Sequence, residues 1–143
     1  MEQVGDMNTA RKKSGGFGTA TSAIVAGGNT DTAVNNVESW NGNSWTEIAE
    51  SGAKDNLGAS GASGTSGLIF GGYAGGFIAL AQEWNGTSWT EVADLATGRD
   101  QLGGTGQSAL TALAFGGRNN GGALVNVEEW TVSQTGTNSK ITD

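Results

Sequence analysis

The chain contains no cysteine, no histidine and no proline among its 143 residues. Without cysteine there are no disulfides, no thiolate metal ligands and no thiol nucleophile. Without histidine every triad built on an imidazole base is excluded, and a serine nucleophile would need a lysine or an N-terminal amine. Basic residues are scarce: seven Lys and Arg stand against fourteen Asp and Glu, for a net charge of −7. That balance argues against a nucleic-acid partner, since such binders carry net positive charge or a large basic surface. No apolar run approaches the roughly 20 residues of a membrane-spanning helix. The opening MEQVGDMNTARKKSGG holds no apolar leader core. No glycine loop ends in Gly-Lys-Ser/Thr, and GASGASGTSG at 58–67 has the letters of a nucleophile elbow without its G-x-S-x-G spacing. The expectation is a soluble, acidic protein without a cleaved leader, with no catalytic residue, no metal and no cofactor.

What the chain has instead is repetition. WNGNSWTE at 40–47 returns as WNGTSWTE at 84–91, 44 residues later. Gly-Gly pairs close apolar runs at Gly27-Gly28, Gly71-Gly72 and Gly116-Gly117, and acidic-Trp endings recur at Glu38-Ser39-Trp40, Glu83-Trp84 and Glu129-Trp130. A period in the forties with several short strands per repeat marks a propeller or another repeat array. Glycine accounts for 26 residues, a bias that could signal disorder. The fixed place of Trp, Ile, Val, Leu and Phe in each repeat argues against that, and assigns the glycines to tight turns and close strand approach.

Each repeat reads as four short strands, a to d. In the first, strand a lies near 13–18, b at 22–26, c at 35–40 and d at 44–49, with Asn41-Gly42 as a two-residue type I′ hairpin turn. The second has b at 67–70, c near 79–84 and d at 88–93; the third has b at 111–115 and c at 124–130. There 131–137 replaces the Asn-Gly turn and 138–143 reads as a weakened d. Residues 2–5 read as the stub of one further strand d. The resulting division is 1–10 stray strand and linker, 11–50 blade 1, 51–94 blade 2 and 95–143 blade 3.

A double glycine after an apolar strand, then an acidic-aromatic strand, then a Trp opening the outer strand resembles the kelch repeat. The carriers are Gly27-Gly28, Glu38, Trp40 and Trp45, then Gly71-Gly72, Glu83, Trp84 and Trp89, then Gly116-Gly117, Glu129 and Trp130. The position after strand c holds Trp where kelch repeats usually hold Tyr. The resemblance implies an all-β propeller of four-stranded blades. The Gly/Thr-rich style with its SWT signatures also looks like kelch-like repeats of marine bacteriophage structural and tail-associated proteins, which implies a virion setting and an adhesive or scaffolding role.

Three blades do not close a ring, since propellers have four to eight; the expected assembly is a homodimer of six blades. In such blades the b–c and d–a connections emerge on one face. That places Arg11, Lys12, Lys13, Lys54, Arg99 and Arg118 together, leaving only Lys140 elsewhere. Local pairing of Asp6 with Arg11, Glu50 with Lys54 and Asp94 with Arg99 accounts for the repeated cations. Lys12, Lys13 and Arg118 lack such a recurring acid, and with Asn119, Tyr73, Phe77 and Asp31 they form the candidate ligand-binding set. A calcium site at Asp31 with Asn29 and Asn35 is conceivable, but a polar turn explains those residues better. The five Trp residues fit packing between blades better than sugar stacking. The function expected is a non-enzymatic module that binds a glycan or protein. The alternatives are a carbohydrate-active enzyme using loop acids Asp31, Asp55 and Asp100, and a purely architectural segment.

Overall fold

The computed structural model describes residues 1–108, 110–132 and 138–142, and among them there is no helix. The first repeat forms strands β1 (Gly15–Thr19), β2 (Ser22–Ala26), β3 (Val37–Trp40) and β4 (Trp45–Ile48). The second forms β5 (Gly58–Ser63), β6 (Ser66–Phe70), β7 (Ala81–Trp84) and β8 (Trp89–Val92). The third forms β9 (Gly103–Ser108), β10 (Thr111–Phe115), the short hairpin β11 (Arg118–Asn119) and β12 (Gly122–Ala123), then β13 (Val127–Val132) and β14 (Asn138–Thr142). Each repeat is one four-stranded antiparallel meander in chain order, with β11 and β12 a separate two-stranded sheet. The protein is all-β.

The middle sheet is covered on both faces. Leu68, Ile69 and Phe70 in β6 are consecutive and all fully buried, the pattern of a strand sandwiched between layers. One layer joins Phe17, Ile24, Ala26 and Val37 of unit 1 to Leu57, Ile69 and Trp84 of unit 2. The other joins Leu68, Phe70 and Ala81 of unit 2 to Leu102, Ala112, Ala114 and Trp130 of unit 3. Each large apolar side chain so covered contributes about 1.5–3 kcal/mol. The first strands β1, β5 and β9 pack against one another in turn, which explains their glycine. A Cβ on Gly104 would run into the Ala59 carbonyl and the Phe70 ring.

The tryptophans stitch the layers together. Trp40 and Trp84 donate Nε1–H to the carbonyls of Ala20 and Gly64 in their own units, at 2.9 and 3.0 Å. Trp45 and Trp89 reach back to the carbonyls of Gly5 and Ala49, at 3.1 and 2.9 Å. Unit 3 has no second Trp, and Trp130 takes over that backward bond, to the Ala93 carbonyl at 2.8 Å, while stacking on Phe70 with ring centroids 5.0 Å apart.

Two sequence expectations change. Residues 2–5 form no strand, because a strand d needs a strand c beside it. Gly5 nevertheless supplies the carbonyl that Ala49 supplies one repeat later. The Asn-Gly turns are not two-residue type I′ hairpins. Gly42 and Gly86 have φ of 93° while Asn41 and Asn85 stay outside the positive-φ region, and the pairs that end the ladders at the loop are Trp40–Trp45 and Trp84–Trp89. Each loop is four residues long, closed by the Asn side chain: Asn41 Oδ1 accepts from the Asn43 and Ser44 N–H groups, both at 2.9 Å. The third-unit turn at 133–137 lies outside the described residues, whereas β14 pairs with β13 as the fourth strand.

Candidate functional site

At one end of each sheet the connection entering the unit meets the connection after its Gly-Gly pair. Lys12 bridges to Asn29, Asp55 to Tyr73 and Asp100 to Arg118. The residues after them, Lys13, Asn56 and Gln101, all hold positive φ of 51–61°, a conformation uncommon for side-chain-bearing residues. It is rewarded by a backbone chain from unit to unit: Asn56 N–H donates to the Lys13 carbonyl at 2.8 Å, and Gln101 N–H to the Asn56 carbonyl at 2.9 Å.

The residues before them are cations, and they point inward. Arg11, Lys54 and Arg99 are almost completely buried. Their partners lie on the third strand of each unit: Arg11 Nη2 is 3.0 Å from Glu38 Oε1, Lys54 Nζ is 3.3 Å from Gln82 Oε1, and Arg99 Nη2 is 3.3 Å from Glu128 Oε1. The same acceptors hold the connection's backbone: Glu38 takes the Asn8 N–H at 2.7 Å, Gln82 the Gly52 N–H at 3.3 Å and Glu128 the Ala96 N–H at 2.9 Å. The expected local partners Asp6, Glu50 and Asp94 are thus replaced by strand residues, and three of the six cations placed on the loop face belong to the interior. Burial lowers the Lys54 pKa from 10.5 to about 8, against the upward pull of Asp94 and Glu91. It also lowers Arg99, against the pull of Glu128. Where a carboxylate faces the cation the pair is neutral; in unit 2 the amide of Gln82 takes that place, and the charge of Lys54 feels Asp94 and Glu91.

Above this row a cleft of about 430 Å³ opens between the loops of units 1 and 2, lined by Asn29, Thr32, Ala33, Asp55, Tyr73 and Ala74 among others. The Asp55 carboxylate is buried, accepting from Asn29 Nδ2 at 2.7 Å and Asn56 Nδ2 at 3.0 Å. Tyr73 stands edge-on to Phe77, centroids 5.5 Å apart at 77°, and is partly exposed. An aromatic wall beside an oriented carboxylate and amide suits a neutral polyhydroxylated ligand, which needs an apolar face and fixed hydrogen-bond partners.

Of the residues singled out from sequence, Tyr73 lines this cleft, with Phe77 packed against it from behind the lining residues. Arg118 and Asn119 lie on the β11–β12 hairpin of unit 3. Arg118 is not partnerless: it forks onto Asp100, Nε to Oδ1 at 3.0 Å and Nη2 to Oδ2 at 3.4 Å, and Asn119 Oδ1 accepts the Gly121 N–H at 2.8 Å, shaping the tip. Lys12 and Lys13 are exposed at the near edge of unit 1, and Asp31 is exposed on the unit 1 loop. The amides of Asn29 and Asn35 donate to Asp55 and Glu50, so the three residues weighed for calcium do not converge. The contributions of Asn29 and Asp55 to the cleft were missed. Their signal was positional: the residue after each Gly-Gly pair and the acid recurring at Asp55 and Asp100 meet at one end of the sheet.

No family model matches the chain, and no curated protein does. Among solved structures it is similar to that of YjhT, a β-propeller-like fold, with a TM-score of 0.78 at 14% identity over 92% of this chain. The match covers 46% of that structure, so this chain spans about half its length. At that identity the likeness speaks for the fold alone.

Proposed function

We propose that this chain is half of a kelch-like β-propeller, three blades that close with a second chain into six, and that it acts as a non-enzymatic module binding a glycan or protein through its loop face. The observation that carries this reading is the cleft of Asn29, Asp55 and Tyr73, where an apolar wall and pre-oriented polar groups converge at the mouth of two adjoining sheets. The half-length match to a propeller-like structure supports the six-blade ring, and the sequence resemblance supports a virion or tail-associated setting. The test is saturation-transfer NMR against a panel of neutral and acidic oligosaccharides. Binding of a neutral member is expected, weakened at least tenfold in Tyr73→Ala with the fold retained. Binding indifferent to Tyr73, or silence across the whole panel, would remove glycan recognition by this cleft.

A further inference from the structure

We infer that the outer face of unit 3 seats unit 1 of a second copy, docked head to tail in the register that already joins units 1 to 2 and 2 to 3. The inference deepens the two-chain ring proposed above and rests on it. Strand pairing makes Ala26, Phe70 and Phe115 equivalent: each faces the first residue of its inner strand, Gly15, Gly58 or Gly103, and on the other side Val37, Ala81 or Val127. Ala26, Val37, Phe70 and Ala81 are 0% exposed, yet Phe115 is 41% and Val127 40% exposed. The difference has one cause. Units 1 and 2 are covered by Leu57 with Trp84 and by Leu102 with Trp130, whereas nothing among the described residues covers unit 3.

The complementary surface is on unit 1. By the same register Val25, half-buried, stands where Ile69 and Ala114 stand, while Trp40, in the place of Trp84 and Trp130, is already covered by the chain's own segment around Gly5. The backbone chain also has matching ends. Among the described residues the Gln101 carbonyl receives no hydrogen bond and the Lys13 N–H gives none, so docking in register extends the series Lys13, Asn56, Gln101 by one step. Such a contact is heterologous and closes only if the rotation per unit suits it. The joint continues the register of the two internal ones, and unit 1 of this same chain presents the matching residues, which selects a second copy as the occupant.

Two substitutions in the repeat mark this joint as weaker than the internal ones. Ser14 occupies the place of Leu57 and Leu102, and Lys12 the place of Asp55 and Asp100. At the rim, Lys12 of the second copy therefore comes toward Arg118, whose charge Asp100 already answers.

Light scattering coupled to size exclusion, run over a dilution series, tests this with three proteins. The wild type is expected at twice the 14.4 kDa chain mass. Phe115→Asp is expected as a folded monomer, because that side chain is half free of its own unit. Ser14→Leu restores the leucine of the internal joints and is expected to tighten the dimer at least about tenfold, the low end of what burying a leucine is worth. A wild type monomeric at about 100 μM, far above a working affinity, overturns both the joint and the two-chain ring. A dimer indifferent to Phe115→Asp and to Ser14→Leu overturns this joint alone and leaves the ring to other surfaces. Masses that keep climbing with concentration overturn closure by two copies.

Discussion

Lys54 is a cation held in the interior against an amide, Gln82, and replacing it by Met should stabilise the protein. A pKa lowered from 10.5 to about 8 corresponds to roughly 3 kcal/mol of unfavourable charging in the folded state. Met keeps the length and apolar stem of the side chain, and Gln82 Oε1 retains its bond from the Gly52 N–H. That figure is already net of the pull from Asp94 and Glu91, and a gain of about 2–3 kcal/mol is in the range found when buried charges give way to apolar groups of similar volume. The pH dependence separates this from a packing effect. Below pH 8 the lysine is protonated in both folded and unfolded chains, and the penalty is present in full. Between about 8 and 10.5 the folded protein loses its proton first, the unfolded chain binds more protons, and stability rises with pH. From pH 7 to 9.5 the wild type should gain about 2 kcal/mol from this group, and Lys54→Met should lack that rise. Urea unfolding at the two pH values measures both quantities. A Lys54→Met protein less stable than wild type at pH 7 and equally pH-dependent would refute the reasoning, because the buried cation would then be a net stabiliser.

The neighbouring units should behave oppositely. Glu128→Ala strands the Arg99 guanidinium in the interior and removes the acceptor of the Ala96 N–H; a loss of about 3–5 kcal/mol, measured by urea unfolding, would be a large part of the 5–15 kcal/mol that holds a domain together. Asn41→Ala removes the side-chain acceptor that closes the first four-residue loop and should cost about 1–2 kcal/mol, read as a lowered unfolding midpoint. Asn41→Asp keeps the acceptor and should recover most of that loss.

The repeat made the strands legible. Strand b was readable to the residue at β2 and β10 because an apolar run ends there at a Gly-Gly pair, with Gly27 and Gly116 at φ of 61° and 67°. Turn type was not readable at Asn41-Gly42. The same letters serve a tight I′ turn and a longer loop, and only the pairing of Trp40 with Trp45 decides. Depth was also hidden. Periodicity put Arg11, Lys54 and Arg99 in equivalent loops beside nearby acids, but their partners Glu38, Gln82 and Glu128 are 27–29 residues away, and only folding reveals that strand three presents them inward. At the candidate site the two aromatic residues were singled out as loop residues. The Asp55 carboxylate that completes the cleft was read as a lone loop acid because its partner, Asn29, comes from the neighbouring repeat.

The buried rungs also bear on how such a gene can change length. The outer repeats use Arg with Glu and the middle one Lys with Gln, so both members differ together. A crossover between repeats that broke the gene between a cation codon and its strand-three partner would mate lysine with glutamate, or arginine with an uncharged amide. The stretch the chain copies most faithfully, 40–47 and 84–91, lies after Glu38 and Gln82 and before Lys54 and Arg99. Recombination guided by that near-identity therefore cuts where every rung stays whole, and whole units can be lost or gained without leaving a mismatched charge inside the protein.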